Sequence, residues 1–170
     1  MTTFSHLALS VADLPRMSRF YNEALGFELG EAYRGEGRSV RGLMEIKGDG
    51  FDGVFLRRGD FFLELLAYGK EAASDGPVRA ADALGLAHVS FLVEDLPATM
   101  ARIKEYGGEE RGSLRLSFSR GDLETEIAFL LDPEGNRVEL VAHDGRAEAT
   151  AHGAFLGLAN LEWPPCTPGS

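Results

Sequence analysis

The sequence predicts an α+β fold built from two tandem β-α-β-β-β modules, and three observations carry that expectation. The first is a repeat. His6-Leu7-Ala8-Leu9-Ser10-Val11-Ala12-Asp13-Leu14-Pro15 returns 82 positions later, without a gap, as His88-Val89-Ser90-Phe91-Leu92-Val93-Glu94-Asp95-Leu96-Pro97. Second, each copy opens on period-two apolar alternation, the mark of a half-buried strand, and passes into a 3.6-residue period, the mark of a helix. Third, 170 residues that are 44% hydrophobic and 26% charged supply a core for one domain, or for two small halves sharing it, and lie far from the composition of disorder.

In the opening strand Leu7, Leu9 and Val11 share the face that packs on the helix, so His6 points the other way with Phe4, Ala8 and Ser10. Asp13 then offers a carboxylate to the unpaired N–H groups of a helix start, with Pro15 in the first turn, where its missing donor costs little. Met17, Phe20, Tyr21 and Leu25 form the helical stripe and Gly26 ends it. Strands are expected over 27–34, 38–47, 53–58 and 61–68, the first two readable as one long interrupted strand, with Arg58-Gly59-Asp60 as a hairpin turn. Gly69 and Ser74-Asp75-Gly76-Pro77 mark a connector. The second module repeats the plan. Ala87, Val89, Phe91 and Val93 form its core face, Asp95 and Pro97 open its helix, Leu96, Met100, Ile103 and Tyr106 form the stripe, and Gly107-Gly108 closes it. Strands follow over 112–118, 126–131 and 137–142, with Asp132-Pro133-Glu134-Gly135-Asn136 as the turn. The expected division is a first module at 1–68, a connector at 69–85, a second module at 86–142 and an extension at 143–170, where Trp163 is the candidate anchor.

Charge narrows the function. Seventeen basic against 27 acidic residues give a net charge of −10, a poor match to the phosphate backbone of a nucleic acid. The apolar run Ile127-Ala128-Phe129-Leu130-Leu131 is far shorter than the ~20 residues that cross a bilayer. The first residues lack a secretory leader pattern, and the single Cys166 excludes an internal disulfide, so the cytoplasm is the default compartment.

Each module also sets a carboxylate within an apolar closing strand: Glu64 in Phe61-Phe62-Leu63-Glu64-Leu65-Leu66, and Glu139 in Arg137-Val138-Glu139-Leu140-Val141. Both carboxylates fall on the face away from the helix, as do His6 and His88. A lone strand histidine or glutamate is more often structural or solvated than functional, but the same pair in both modules makes coincidence the weaker account. A carboxylate among apolar neighbours loses solvation worth several kcal/mol unless compensated, and a cation is the simplest compensation. His6, Glu64, His88 and Glu139 supply two imidazole nitrogens and two carboxylates, a set suited to Ni²⁺, Co²⁺, Mn²⁺, Fe²⁺ or Zn²⁺ with coordination positions to spare for substrate. His143, His152 and Cys166 lack such partners. Arg34, Arg38, Arg41, Arg57 and Arg58 read either as a site for an acidic substrate group or as a solvated strand face.

The two modules, the phrase His6 to Leu14, Phe20-Tyr21 with Leu25-Gly26-Phe27, and Asp132 to Asn136 followed by Glu139 resemble the vicinal oxygen chelate superfamily. That superfamily includes glyoxalase I, methylmalonyl-CoA epimerase, extradiol dioxygenases, and bleomycin and fosfomycin resistance proteins. The resemblance spans residues 4 to 142 and implies a cup-shaped mixed sheet around the metal, often in a homodimer. His6, Glu64, His88 and Glu139 match the His-Glu-His-Glu set of bacterial glyoxalase I. Glu64 discriminates: dioxygenases and fosfomycin-modifying enzymes typically use only the counterparts of His6, His88 and Glu139, epimerases usually carry Gln at the position of Glu64, and bleomycin-binding relatives lack the set. The implied activity is a metal-dependent lyase or isomerase acting through an enediolate on a thiol adduct of a 2-oxoaldehyde, with Glu139 or Glu64 moving the proton. An epimerase acting on a thioester, an extradiol-type dioxygenase and a non-catalytic antibiotic-binding protein are the alternatives, in that order.

Overall fold

Two helices and two sheets grow directly from the repeat. The computed structural model describes residues 1–46, 48–69, 80, 82–111, 116–120 and 123–143, the side chains of 116–120, 123, 124 and 143 excepted. The chain runs β1 (Leu7–Ser10), α1 (Leu14–Leu25), β2 (Glu28–Glu36), α2 (Arg38–Met44), β3 (Gly50–Arg58), β4 (Phe61–Ala67), β5 (Val89–Leu92), α3 (Leu96–Glu105), β6 (Glu109–Glu110), β7 (Leu116–Arg120), β8 (Leu123–Leu131) and β9 (Arg137–His143). Among the described residues no helix is long and apolar enough to cross a membrane.

The helix starts are capped as the sequence predicts. Asp13 accepts from the Arg16 backbone N–H at 3.0 Å, and Asp95 from that of Ala98 at 2.8 Å. Gly26, at φ +71°, takes the left-handed conformation that turns the chain out of α1, and its N–H returns to the Asn22 carbonyl.

The first sheet has the order β1-β4-β3-β2, with β1 parallel to β4 and the remaining pairs antiparallel. The second has the order β5-β9-β8-β6, again with its first pair parallel. β6 and β7 bond to successive stretches of β8 and together take the place that β2 fills alone. The duplication therefore persists in the register: Ala8 lies opposite Glu64, and Ser90 opposite Glu139.

One segment departs from expectation. Within the segment 38–47, expected to continue as a strand, Arg38–Met44 instead form the short helix α2. Gly37, at φ +95°, redirects the chain, and the Arg41 N–H closes a turn onto its carbonyl. Val40, Leu43 and Met44 carry helical spacing, but none is buried, and Leu43 is 83% exposed. Arg38 and Arg41 accordingly sit on this helix and not on a strand face. The expected strand over 112–118 is found as β7, starting at Leu116, with 112–115 outside the described residues. His152, Trp163 and Cys166 also lie outside them.

Both modules feed one core. Met17, Phe20, Tyr21, Leu25 and Phe27 of the first pack in the same cluster as Phe91, Leu96, Met100 and Ile103 of the second, with Phe27 edge-on to Phe91 at 5.8 Å. Hydrogen bonds fix the joint: the Tyr21 hydroxyl donates to Asp132 at 2.9 Å, and Glu134 accepts from the Ala12 and Asp13 N–H groups at 2.8 Å each. The helix-bearing sides of both sheets are thus consumed by the shared core, and the opposite face of each sheet, which carries the histidine and the glutamate, lies outside it.

Candidate metal centre

Glu64 stands at mid-strand in β4, flanked in register by Ala8 of β1 and Phe55 of β3. His6, just before β1, brings its Nε2 to 3.2 Å from Glu64 Oε2. The ring is held from behind by Ser5, whose Oγ lies 2.9 Å from Nδ1, and from the side by Phe55, edge-on at 5.3 Å. The remaining Glu64 oxygen, Oε1, accepts a hydrogen bond from the Tyr33 hydroxyl. Burial, then that bond, then the charge of Glu64 push the Tyr33 phenol well above its ordinary pKa, so it stays a donor. Tyr68 is raised by burial and then by Glu64.

The second module repeats the pair. Glu139 of β9 lies opposite Ser90 and Phe129, and His88 Nε2 comes to 3.5 Å from Glu139 Oε2, with the ring edge-on to Phe129 at 5.4 Å. In both pairs the histidine side chain is 36% exposed and the glutamate 13%. The donors are accessible, while the carboxylates have lost most of their water.

The structure therefore joins His6 to Glu64 and His88 to Glu139. It does not join the two pairs: among the described residues no three His, Cys, Asp or Glu side chains gather as a cation site. Each pair nonetheless fits a cation. Two donors each about 2.1 Å from one ion at octahedral or tetrahedral angles lie roughly 3.0–3.4 Å apart, close to the separations found here. Without an ion, an imidazole N–H donating to the carboxylate accounts for the same geometry.

Ser5, Tyr33, Phe55 and Phe129 touch the two couples, and none is a candidate from the sequence. The phenylalanines leave a signal, since Val54-Phe55-Leu56 returns as Ala128-Phe129-Leu130 at the same register against the glutamates. Tyr33 leaves none, having no counterpart in the second module. Arg34 pairs with Glu36 and Asp52, Arg41 with Asp49, and Arg57 with Glu28, which assigns them to the solvated surface. Arg58 donates to the Leu25 carbonyl at the end of α1. A cleft of about 610 Å³, lined by Asp13, Arg16, Arg19, Phe20, Glu105 and Tyr106, lies on the helix side and contains neither pair.

This duplicated β-α-β-β-β architecture with a His–Glu pair on each open sheet face defines a class. The chain belongs to the Glyoxalase/Bleomycin resistance protein/Dioxygenase superfamily, whose family model matches residues 3–140. It is 28% identical over 138 residues to the uncharacterized protein YaeR of Escherichia coli, a match covering 79% of this chain and 92% of that one. It is 26% identical over 152 residues to a probable lactoylglutathione lyase of Synechocystis, covering 80% and 92%. Among solved structures, a glyoxalase family protein from Bacillus cereus superposes with a TM-score of 0.72 at 18% identity, covering 84% of this chain and 95% of that one. The fosfomycin resistance protein FosX of Listeria monocytogenes, crystallised with Mn(II) and sulfate, shares the fold at a TM-score of 0.51 and 15% identity, covering 84% and 93%.

Proposed function

We propose that the protein is a divalent-metal-dependent lyase or isomerase of the glyoxalase I type, converting a thiol adduct of a 2-oxoaldehyde into a 2-hydroxyacyl thioester. The observation that carries this reading is the pair of matched His–Glu couples, and within it Glu64, the carboxylate that makes the set four. The likeness to a probable lactoylglutathione lyase supports the same chemistry.

His6, Glu64, His88 and Glu139 are the residues that would hold Ni²⁺, Co²⁺, Mn²⁺, Fe²⁺ or Zn²⁺. Since the two couples lie on separate outward faces, the four-donor set is completed between two copies: His6 and Glu64 of one protomer, with His88 of the partner subunit and the partner subunit's Glu139. A bound divalent cation supplies Lewis acidity, which lowers the cost of negative charge on the oxygen beside the carbon that is deprotonated. The proton is the protein's task. Among the described residues His88 is the only polar partner of the Glu139 carboxylate, which leaves its oxygens available to take a proton from one substrate carbon and return it to the next. Glu64 is already committed on both oxygens, to Tyr33 and to His6. Phe55 and Phe129 cover the flanks of the two couples and restrict water there.

The test is a screen of metal-free protein reconstituted with each cation against methylglyoxal combined with several thiols, and against methylmalonyl-CoA and a catechol. The expected result is metal-dependent turnover of a thiol adduct with solvent deuterium appearing at the product carbon, and a fall in kcat of about 10²–10⁴-fold in Glu139→Gln. Oxygen uptake with the catechol, turnover of the malonyl thioester alone, or binding without turnover would overturn the assignment.

A further inference from the structure

We infer that Tyr33 is a positioning residue for the metal centre, holding Glu64 by its Oε1 so that Oε2 is presented beside His6 Nε2. The inference rests on the metal-centre reading above and concerns a residue outside the four donors.

Three features of the fold converge on this contact. The first is a bulge in β2. Leu29 lies opposite Leu56 and Ala32 opposite Val54, so β2 spends one more residue than β3 between those points. A regular ladder would set Ala32 against Gly53; the bulge sets Tyr33 there instead and aims it at the open face. Gly30 permits the distortion, because a Cβ at that position would meet the Phe55 carbonyl oxygen at 2.8 Å.

The second feature is Gly53 itself. Glycine inside a strand weakens it, so its presence calls for a reason. A Cβ there would stand 2.5 Å from Tyr33 Cζ and 2.7 Å from its hydroxyl oxygen. The missing side chain is therefore the space through which the Tyr33 ring lies across β3, stacked on Phe55 at 5.7 Å, to reach Glu64 on β4.

The third feature is asymmetry. In the second sheet the positions equivalent by register to Tyr33 and Gly53 are Leu116 and Ile127, which pair with each other. Neither a phenol nor a glycine stands there. The first couple is thus a chain of four side chains, Ser5–His6–Glu64–Tyr33, while among the described residues Glu139 has only His88. A carboxylate tethered at one oxygen keeps its other oxygen in a fixed direction, the usual role of a group that hydrogen-bonds a metal ligand. The two couples, equal in sequence, are unequal in the hydrogen bonds that hold them.

The experiment is titration of metal-free protein with Co²⁺, followed by calorimetry and by the visible absorption of the bound ion. Wild type and Tyr33→Phe are compared, with Tyr106→Phe as a control, since that ring lies on the helix side against Arg19. Tyr33→Phe keeps the ring over Gly53 and removes only the hydroxyl; it is expected to weaken Co²⁺ binding about tenfold or more and to change the spectrum, while Tyr106→Phe does neither. In a Glu64→Ala background the same substitution is expected to have no further effect, because its target is gone. Equal loss in both backgrounds assigns Tyr33 to packing alone and overturns the inference, as does wild-type affinity in Tyr33→Phe. Wild-type protein that takes up no Co²⁺ removes the metal-centre reading and this inference with it; stoichiometric uptake with an unaffected Tyr33→Phe removes the inference alone. Gly53→Ala provides a second route to the same end, displacing the ring, and is expected to reproduce the Tyr33→Phe loss.

Discussion

Asp132 is a carboxylate that folding has taken almost wholly out of water, at 2% exposure. Oδ1 accepts from the Glu134 and Asn136 backbone N–H groups, and Oδ2 from the Asn136 side chain and the Tyr21 hydroxyl. All four bonds favour the ionised form, yet burial outweighs them and raises its pKa above the ordinary 3.8. The sign follows from linkage. Between the ordinary and the raised value the folded protein holds this proton more tightly than the unfolded chain does. The stability it confers is fully present below the ordinary aspartate range and is lost as pH rises through the raised value. Asp132→Asn has no proton to lose there, so the stability of wild type relative to this variant should decline as pH rises through that window. Urea unfolding of both proteins from pH 3 to 7 measures it. A difference that instead grew with pH would mean that the hydrogen bonds, and not burial, control this group, and a constant one that the two cancel.

At the scale of elements, matched local chemistry starts both main helices, and the match has a measurable consequence. Asp13 and Asp95 each accept one N–H of the first turn at 3.0 and 2.8 Å, with a proline one turn position earlier. Asp13→Ala and Asp95→Ala should therefore destabilise the protein by similar amounts, about 1 kcal/mol each, read from urea midpoints at constant slope. A much larger loss at Asp13 alone would show that its side chain also supports the Glu134 joint. These elements were legible in the sequence because cap, apolar stripe and closing glycine all point to the same structure. α2 was not legible. Val40, Leu43 and Met44 are too few to separate a helical period from a strand period, and no burial of that face decides between them. The His–Glu couples were legible through duplication, whereas Tyr33 was not: its place depends on a bulge and on the empty side of Gly53, neither of which any local pattern encodes.

At the scale of the molecule, the joining of the modules through α1 and α3 decides where the couples can act. Tyr21, Asp132, Glu134 and the shared core lock the helix sides together, so each chain presents its two His–Glu couples on separate sheet faces. Those faces carry exposed apolar residues: Phe62, two positions before Glu64 in β4, is 39% exposed, and Leu92, two positions beyond Ser90 in β5, is 42% exposed. Exposed apolar groups beside half-buried carboxylates are what a contact surface provides. In a twofold dimer each centre would take its first couple from one protomer and its second from the other. A mixture then distinguishes the two arrangements. His6→Ala breaks every first couple and Glu139→Ala every second, so each variant alone should be inactive. Coexpressed, they form a mixed dimer in which one centre carries both lesions and the other carries none. With random pairing about half the dimers are mixed and half of their centres are intact, so about a quarter of the wild-type activity and metal content should return. If each chain instead held its own centre, every chain in the mixture would be damaged and nothing would return.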